Sequence, residues 1–520
     1  MADETTMPPE ATAGINAALA NPKADIAQLD ELEEHLFALR YALGEISTFG
    51  DIVDPPKTTD DRGAAMAVLG QDMQRLICAP EVGDLLDRLD ANSAVLDDIH
   101  KAQVKIMRRD RDEILDVPPE EQAALTKLQV EAGDVWHKAK LANDWESFEP
   151  YVDKLVEMQL RIAGYKDADK DPYDVWLNDY EHGSDRAFYD AFFEQVKETV
   201  VPLLTDVVKS PHQISAHYVE GKYDAAKQIA LSQELLDLEG IDKDAFWLGQ
   251  TEHPFMGGPA QNFVVIGTHV FEDSLLSGIY SILHEGGHAL YEQNVDPRLN
   301  RTVLAGGTSS GMHEAQSRFF ENIIGRSRPF MEPLLALLRA HYPGRLNLVT
   351  ANQLFQAANV AAPSLIRTEA DELTYPLHII VRYEIEQALF AGEAKAADIP
   401  GLWAEKYKGY LGVDVPDHTR GALQDVHWSF GGFGYFPTYA LGNAYGAQLR
   451  ATMLNAGVMR DEDIAAGDLS RISAWLRDNI WRHGRMMDSP ELIEKACGEP
   501  FSAHWYCEYL TEKFSALYQL

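Results

Sequence analysis

The amino-acid sequence predicts an all-α fold: mostly helical, with one small β element, built as a single large helical body. Three observations carry this. Apolar residues recur at three- and four-residue steps along most of the chain, the spacing of a helix with one buried face. Only one run is β-branched enough to read as a strand. No change in composition marks a linker, in a chain of 520 residues that is 46% hydrophobic and has ample material for a large core.

Residues 1–26 are rich in Ala, Pro, Thr and acids, the composition of a loose tail ahead of a body spanning 27–520. Leu29, Leu32, Leu36, Leu39 and Leu43 then make the first apolar stripe. The same period predicts helices near 64–90, 94–115, 121–142, 145–163, 186–208, 224–239, 273–293, 311–325, 331–341, 351–358, 369–392, 402–410, 437–456 and 468–483. Residues 262–269 (NFVVIGTH) read as the strand. Loops are expected at Asp54-Pro55-Pro56, 169–172, Gly257-Gly258-Pro259 and 430–435. There is no fixed-period repeat.

Lys and Arg number 45 against 82 Asp and Glu, a formal net charge of −37. So acidic a body repels phosphate backbones and anionic lipid, so neither nucleic acid nor membrane is expected as a partner. The most apolar stretches, such as 275–283 and 334–338, are far short of a membrane span. Met1-Ala2-Asp3-Glu4 has no basic region leading into an apolar one, so no secretory signal is expected. Cys78, Cys497 and Cys507 are odd in number and form no CxxC, which suits reduced thiols and a cytoplasmic location.

Residues 284–288 read His284-Glu285-Gly286-Gly287-His288, the H-E-x-x-H pattern. Four residues make about one helical turn, so both imidazoles leave one face and can grip one metal ion. Glu285 stands one place along, where it reaches a water on the metal rather than the metal itself. The preceding residues, 275–283, form an apolar helix that runs into these polar groups, and buried histidines and carboxylates need partners. Gly286 and Gly287 each cost about 1 kcal/mol of helix propensity against Ala, which makes sense where substrate or another helix comes close. Tyr291 and Asn294 stand where the metzincin pattern needs Gly and His, which excludes that class. Glu292, one turn past His288, is one candidate for a third ligand. Glu314, on a second helical segment able to approach from the side, is the better one. Two His and one Glu leave a fourth position open, the catalytic arrangement. His313 points about 100° away from Glu314 and reads as a supporting or core residue.

Four motifs occur in order: His253-Pro254-Phe255, HEGGH, His313-Glu314-Ala315-Gln316 and Gly421-Ala422-Leu423-Gln424-Asp425-Val426-His427-Trp428. Together they resemble the carboxypeptidase Taq (thermostable carboxypeptidase 1) family of zinc metallocarboxypeptidases. The likeness continues through 173–183, 366–378, 434–439 and 489–493 and covers essentially the whole chain from residue 27. The resemblance implies a helical body with a deep central cleft of the HExxH zincin type and a homodimer. It implies release of C-terminal amino acids from peptides with Zn²⁺, or Co²⁺ in some members. It maps the metal ligands onto His284, His288 and Glu314 and the general base onto Glu285. His427 and Tyr435 are then expected to hydrogen-bond the oxyanion. His253, Gln424, Arg367, Tyr439 and Arg301 are expected to bind substrate.

One departure matters. The family's D-x-R-x-T motif falls, without a gap, on Phe263, Val265 and Gly267. An arginine suits a carboxylate because its fork donates two hydrogen bonds, and here that position is apolar. Either the lost motif was structural and other arginines (Arg367, Arg382 or Arg301) bind the peptide carboxylate, or the site takes a non-standard amide or an internal peptide bond. A non-enzymatic zinc-bearing scaffold is a third reading, against which the retained Glu285 speaks. The Gly-rich run 430–435 lacks the preceding strand and Lys-Ser/Thr of a phosphate loop and reads as a wall of the cleft.

Overall fold

The first helix among the described residues, Pro22–Ile52, begins at a proline, whose fixed φ suits a first helical turn. It therefore starts ahead of Leu29, inside the expected tail, and buries Leu29, Leu32 and Leu36. The structure, a computed structural model, describes residues 21–53, 57–251 and 253–520. Most of the expected tail and the Asp54-Pro55-Pro56 loop lie outside the described residues.

The molecule is helical as expected, with corrections where proline is involved. The stretch 64–90 is two helices, Thr59–Ile77 and Pro80–Ala91, parted where Pro80 cannot continue the first. Among the described residues four helices escaped the periodic reading: Pro172–Tyr180, the short Asp461–Ala465, Ser489–Cys497 and His504–Tyr518. Pro172 and Pro490 sit in first turns, where the missing N–H costs nothing, so a residue type that marks loops here opens helices. Buried apolar residues from Leu29 to Tyr518 form one continuous cluster. Among the described residues no helix is long and apolar enough to cross a membrane.

The sheet is larger than expected. It comprises β1 (Phe246–Gln250), β2 (Phe255–Ala260) and β3 (Phe263–Thr268) in the order β1-β3-β2, with β3 parallel to β1 and antiparallel to β2. Only β3 was legible, because only it is a buried β-branched run. Gly257-Gly258-Pro259, expected as a loop, lies within β2, where the pairing shifts between Gly257 and Ala260. Gly258 has φ +135°, and a Cβ there would stand 2.2 Å from the Phe263 carbonyl oxygen, so the irregular strand requires glycine.

The HEGGH helix, Leu275–Gln293, is central. It packs on the helix Ala225–Glu239 behind it, on the sheet, and on the helix Ser310–Arg318 that carries Glu314. The helix Phe436–Asn455 backs the Glu314 helix in turn. Glycines set these approaches: a Cβ on Gly287 would lie 2.5 Å from the Gln316 carbonyl oxygen, and one on Gly442 would lie 2.7 Å from Glu314 Cβ. The helix-propensity cost of HEGGH is thus the condition for bringing Glu314 to the histidines.

Candidate active site

His284 and His288 project from one face of the HEGGH helix, and Glu314 meets them from the neighbouring helix. One ligand atom from each lies within 4.8 Å of the others. Glu314 Oε2 stands 3.7 Å from His284 Nε2 and 3.5 Å from His288 Nε2. The other ring nitrogens are engaged. His284 Nδ1 is 2.9 Å from Glu321 Oε2. His288 Nδ1 is 2.7 Å from His313 Nδ1, and His313 Nε2 is 2.9 Å from Glu292 Oε1. Because the Glu292 carboxylate only accepts, His313 Nε2 carries the donating hydrogen. A neutral His313 then accepts from His288 Nδ1–H. The Nε2 atoms that face Glu314 are thereby left as lone-pair donors, the tautomer a metal ligand needs. Glu292, the alternative third ligand in the sequence, instead closes this relay and accepts from the Gly307 amide.

Arg318 donates to Glu314 Oε1 at 2.6 Å, which turns Oε2 toward the histidines. It also donates to Glu321 Oε2, and Arg326 donates to Glu321 Oε1. Burial pulls both carboxyls up, but the guanidiniums and histidines outweigh it. Glu314 is held well below the usual range and Glu321 at about 2. Burial brings His288 down to about 4, whereas at His284 the Glu314 and Glu321 charges outweigh burial and raise it. Burial, opposed by His284, pushes Glu285 up to about 7, the range of a working general base. Two imidazole nitrogens and a carboxylate oxygen converging on one point are the donor set of a divalent-ion site with an open position.

These groups line a cleft of about 770 Å³ with Tyr180, His182, Phe255, Arg318, Arg367, Tyr375, Tyr435, Tyr439 and Arg485 among its walls. Arg367 is buried, donates to Asp425 Oδ1 at 2.9 Å and to the Tyr375 hydroxyl at 3.1 Å, and still reaches the cleft. Arg382, fully buried, donates to the other Asp425 oxygen. Two guanidiniums thus share one carboxylate, leaving positive charge uncancelled at this end. Arg318 is matched by Glu314 and Glu321, and Arg485 by Asp110.

Four expected residues do not line the cleft. His253 is exposed beside it; its neighbours Pro254 and Phe255 face in. Gln424 is consumed in support of the arginines, its Oε1 accepting from the Arg367 amide and Arg382. Arg301 is exposed, in the left-handed region at φ 66°, with its guanidinium over Phe37. His427 sits behind the tyrosines, its Nε2 3.1 Å from the Tyr439 hydroxyl, and burial, with Arg367, brings it down to about 3. Positions 263, 265 and 267 do not line the cleft either: Val265 is fully buried in the sheet, and Gly267 lies under the Phe255 ring. Of the residues in place of D-x-R-x-T, Val265 and Gly267 are sheet interior and Phe263 is half-buried at the start of β3.

Sequence reasoning missed Arg318, Glu321, Tyr180, Tyr375, His182 and Arg485. Arg318 was discoverable as the residue one turn past Glu314 on the same face. Glu321 was not, because Phe319–Ile324 forms a π-helical turn that re-aims it.

The helical body and a cleft centred on two histidines and a glutamate able to hold a metal ion are the arrangement of a metal-dependent hydrolase. Residues 35–514 match the carboxypeptidase Taq (M32) metallopeptidase family. The chain is 35% identical over 466 residues to carboxypeptidase 1 of Bacillus subtilis, covering 90% of this chain and 93% of that protein. It is 34% identical over 476 residues to thermostable carboxypeptidase 1 of Thermus thermophilus, covering 89% and 93%. The crystal structure of an M32 carboxypeptidase from Deinococcus radiodurans superposes with a TM-score of 0.91 at 33% identity, covering 96% of this chain and 100% of that one. The chain belongs to the carboxypeptidase Taq (M32) family, which places it among the peptide hydrolases.

Proposed function

We propose that the protein removes C-terminal amino acids from peptides, with a divalent ion, zinc by donor chemistry, held by His284, His288 and Glu314. Such an ion supplies Lewis-acid polarisation and lowers the pKa of a bound water from ~15.7 toward ~7. Glu285 accepts the proton of the attacking water and returns it to the leaving nitrogen. Tyr435 and Tyr439 face the cleft and donate to the developing oxyanion, with His427 orienting Tyr439.

The observation that carries the exopeptidase reading is the uncancelled charge at Arg367. Its guanidinium is braced by Asp425 and Tyr375, beside the metal-ligand cluster in the same cleft, and it anchors a peptide's terminal carboxylate. The residues at 263, 265 and 267 are not among those lining the cleft, which favours the free-acid reading over a non-standard amide or an internal peptide bond. Homodimerisation and a cytoplasmic setting remain part of the proposal from the family likeness and the composition.

Glu285→Gln is expected to keep its metal, measured by elemental analysis, and to lose at least a thousandfold in kcat. His288→Ala is expected to lose the metal. Full turnover by the Glu285→Gln protein ends this account.

A further inference from the structure

Glu386 is fully buried on the helix Tyr375–Phe390, and its carboxylate accepts from three separate elements. Trp428 Nε1 donates to Oε1 at 2.7 Å; the Gly434 amide and the Tyr173 hydroxyl each donate to Oε2 at 2.8 Å. Each donor is chained to a cleft residue or, through His427, to the cleft residue Tyr439. Trp428 follows His427, Gly434 precedes Tyr435, and Tyr173 opens the helix Pro172–Tyr180 that ends in Tyr180. Glu386's own helix begins with Tyr375. The three tyrosines line the cleft, and the Tyr180 and Tyr435 rings meet edge to face with centroids 5.0 Å apart. The loop is under close constraint where it is held: Gly434 has φ +85°, and a Cβ there would lie 3.0 Å from the Trp176 backbone. No hydrogen bond of Glu386 goes to the metal-ligand cluster or to any cleft-facing group.

We infer that Glu386 is a positioning residue for the reaction: its carboxylate clamps the 427–434 loop and the Pro172–Tyr180 helix so that Tyr435 points at the reacting carbonyl. Three donors converging on one buried group require an acceptor with lone pairs on both oxygens, which a carboxylate has and an amide lacks. In Glu386→Gln the Tyr173 hydroxyl can turn to accept. The Trp428 and Gly434 N–H groups approach different oxygens, so one of them must face the amide NH₂. The wall then loosens without any change at the metal ligands.

The kinetic half of this inference rests on the peptidase reading; the structural half does not, and the test separates them. With wild-type protein cleaving a free-acid peptide, Glu386→Gln is expected to lower kcat ten- to a hundredfold, with KM within threefold and metal content unchanged. In a Tyr435→Phe background the same change is expected to cost no more than about threefold, because the group it positions is already gone. In a Trp428→Phe background it is expected to cost less than in wild type, since the amide NH₂ can turn to the vacated side. Hydrogen exchange of the 426–436 peptide is expected to speed up at least tenfold in Glu386→Gln, which reads the clamp even in a protein that cleaves nothing. Unchanged kcat, full additivity with Tyr435→Phe, or unchanged exchange of that peptide overturns the inference. If Glu386→Gln fails to fold, Trp428→Phe and Tyr173→Phe each remove one donor. Both must then speed loop exchange, and normal exchange in the two together overturns it.

Discussion

At the scale of single residues, Gly287 shows how much of the site the sequence disclosed. HEGGH announced two imidazoles on one face, and its glycines announced a close neighbour. The neighbour proves to be the backbone at Gln316 and Ser317, which no side-chain movement relieves. Glu239 is the opposite case, silent in the sequence. It lies behind Gly286 with 2% exposure and both carboxylate oxygens unpartnered, and burial pushes it well above the usual range. An unmade hydrogen bond of a buried polar group costs about 1–3 kcal/mol. Glu239→Met, similar in volume, is therefore expected to raise the melting temperature by a few degrees. The sign of the pH effect follows from the raised pKa. Above the unfolded value near 4.5 the folded protein holds a proton that the unfolded chain releases, so stability falls as pH rises. The gain from Glu239→Met is expected to be larger at pH 8 than at pH 5 by differential scanning fluorimetry. An equal gain at both, or a loss, would mean that Glu239 has found a partner.

At the scale of elements, long amphipathic helices were legible and the small sheet mostly was not. β1 and β2 carry no clean alternation, and β2 is broken by glycines that its register shift requires. The sheet matters because β2 delivers Phe255 to the cleft while β3 holds the positions of the lost D-x-R-x-T motif. A Cβ on Gly267 would lie 2.5 Å from the Phe255 ring and 2.4 Å from Thr251 Oγ1. Gly267→Thr is thus expected to swing Phe255 and raise KM several-fold with metal content unchanged, measured by steady-state kinetics. An unchanged KM would show that Phe255 has no part in holding substrate. The substrate residues inferred from motif text fared unevenly for one reason: a motif marks a stretch of chain, whereas facing the cleft depends on which neighbours already claim each side chain. Gln424 and His427 are claimed; Arg367 is claimed only in part.

At the scale of the whole molecule, order and spacing of motifs over nearly the full chain made the architecture legible, and packing alone decided the cleft walls. The −37 charge acts on the body as a whole by self-repulsion, which salt screens with a Debye length falling from about 30 Å at 0.01 M to about 3 Å at 1 M. The melting temperature is expected to rise by several degrees between 10 mM and 0.5 M KCl; a fall would mean that the many surface ion pairs outweigh the net repulsion. The central claim is that the cleft anchors a terminal carboxylate at Arg367 and cuts beside it. One measurement tests it most directly: mass spectrometry of a single peptide offered as free acid and as C-terminal amide, to zinc-loaded wild-type protein and to Glu285→Gln. The account predicts a ladder losing one residue at a time from the free acid alone, and none with the variant. Equal cleavage of the amide, or internal cuts, would contradict it.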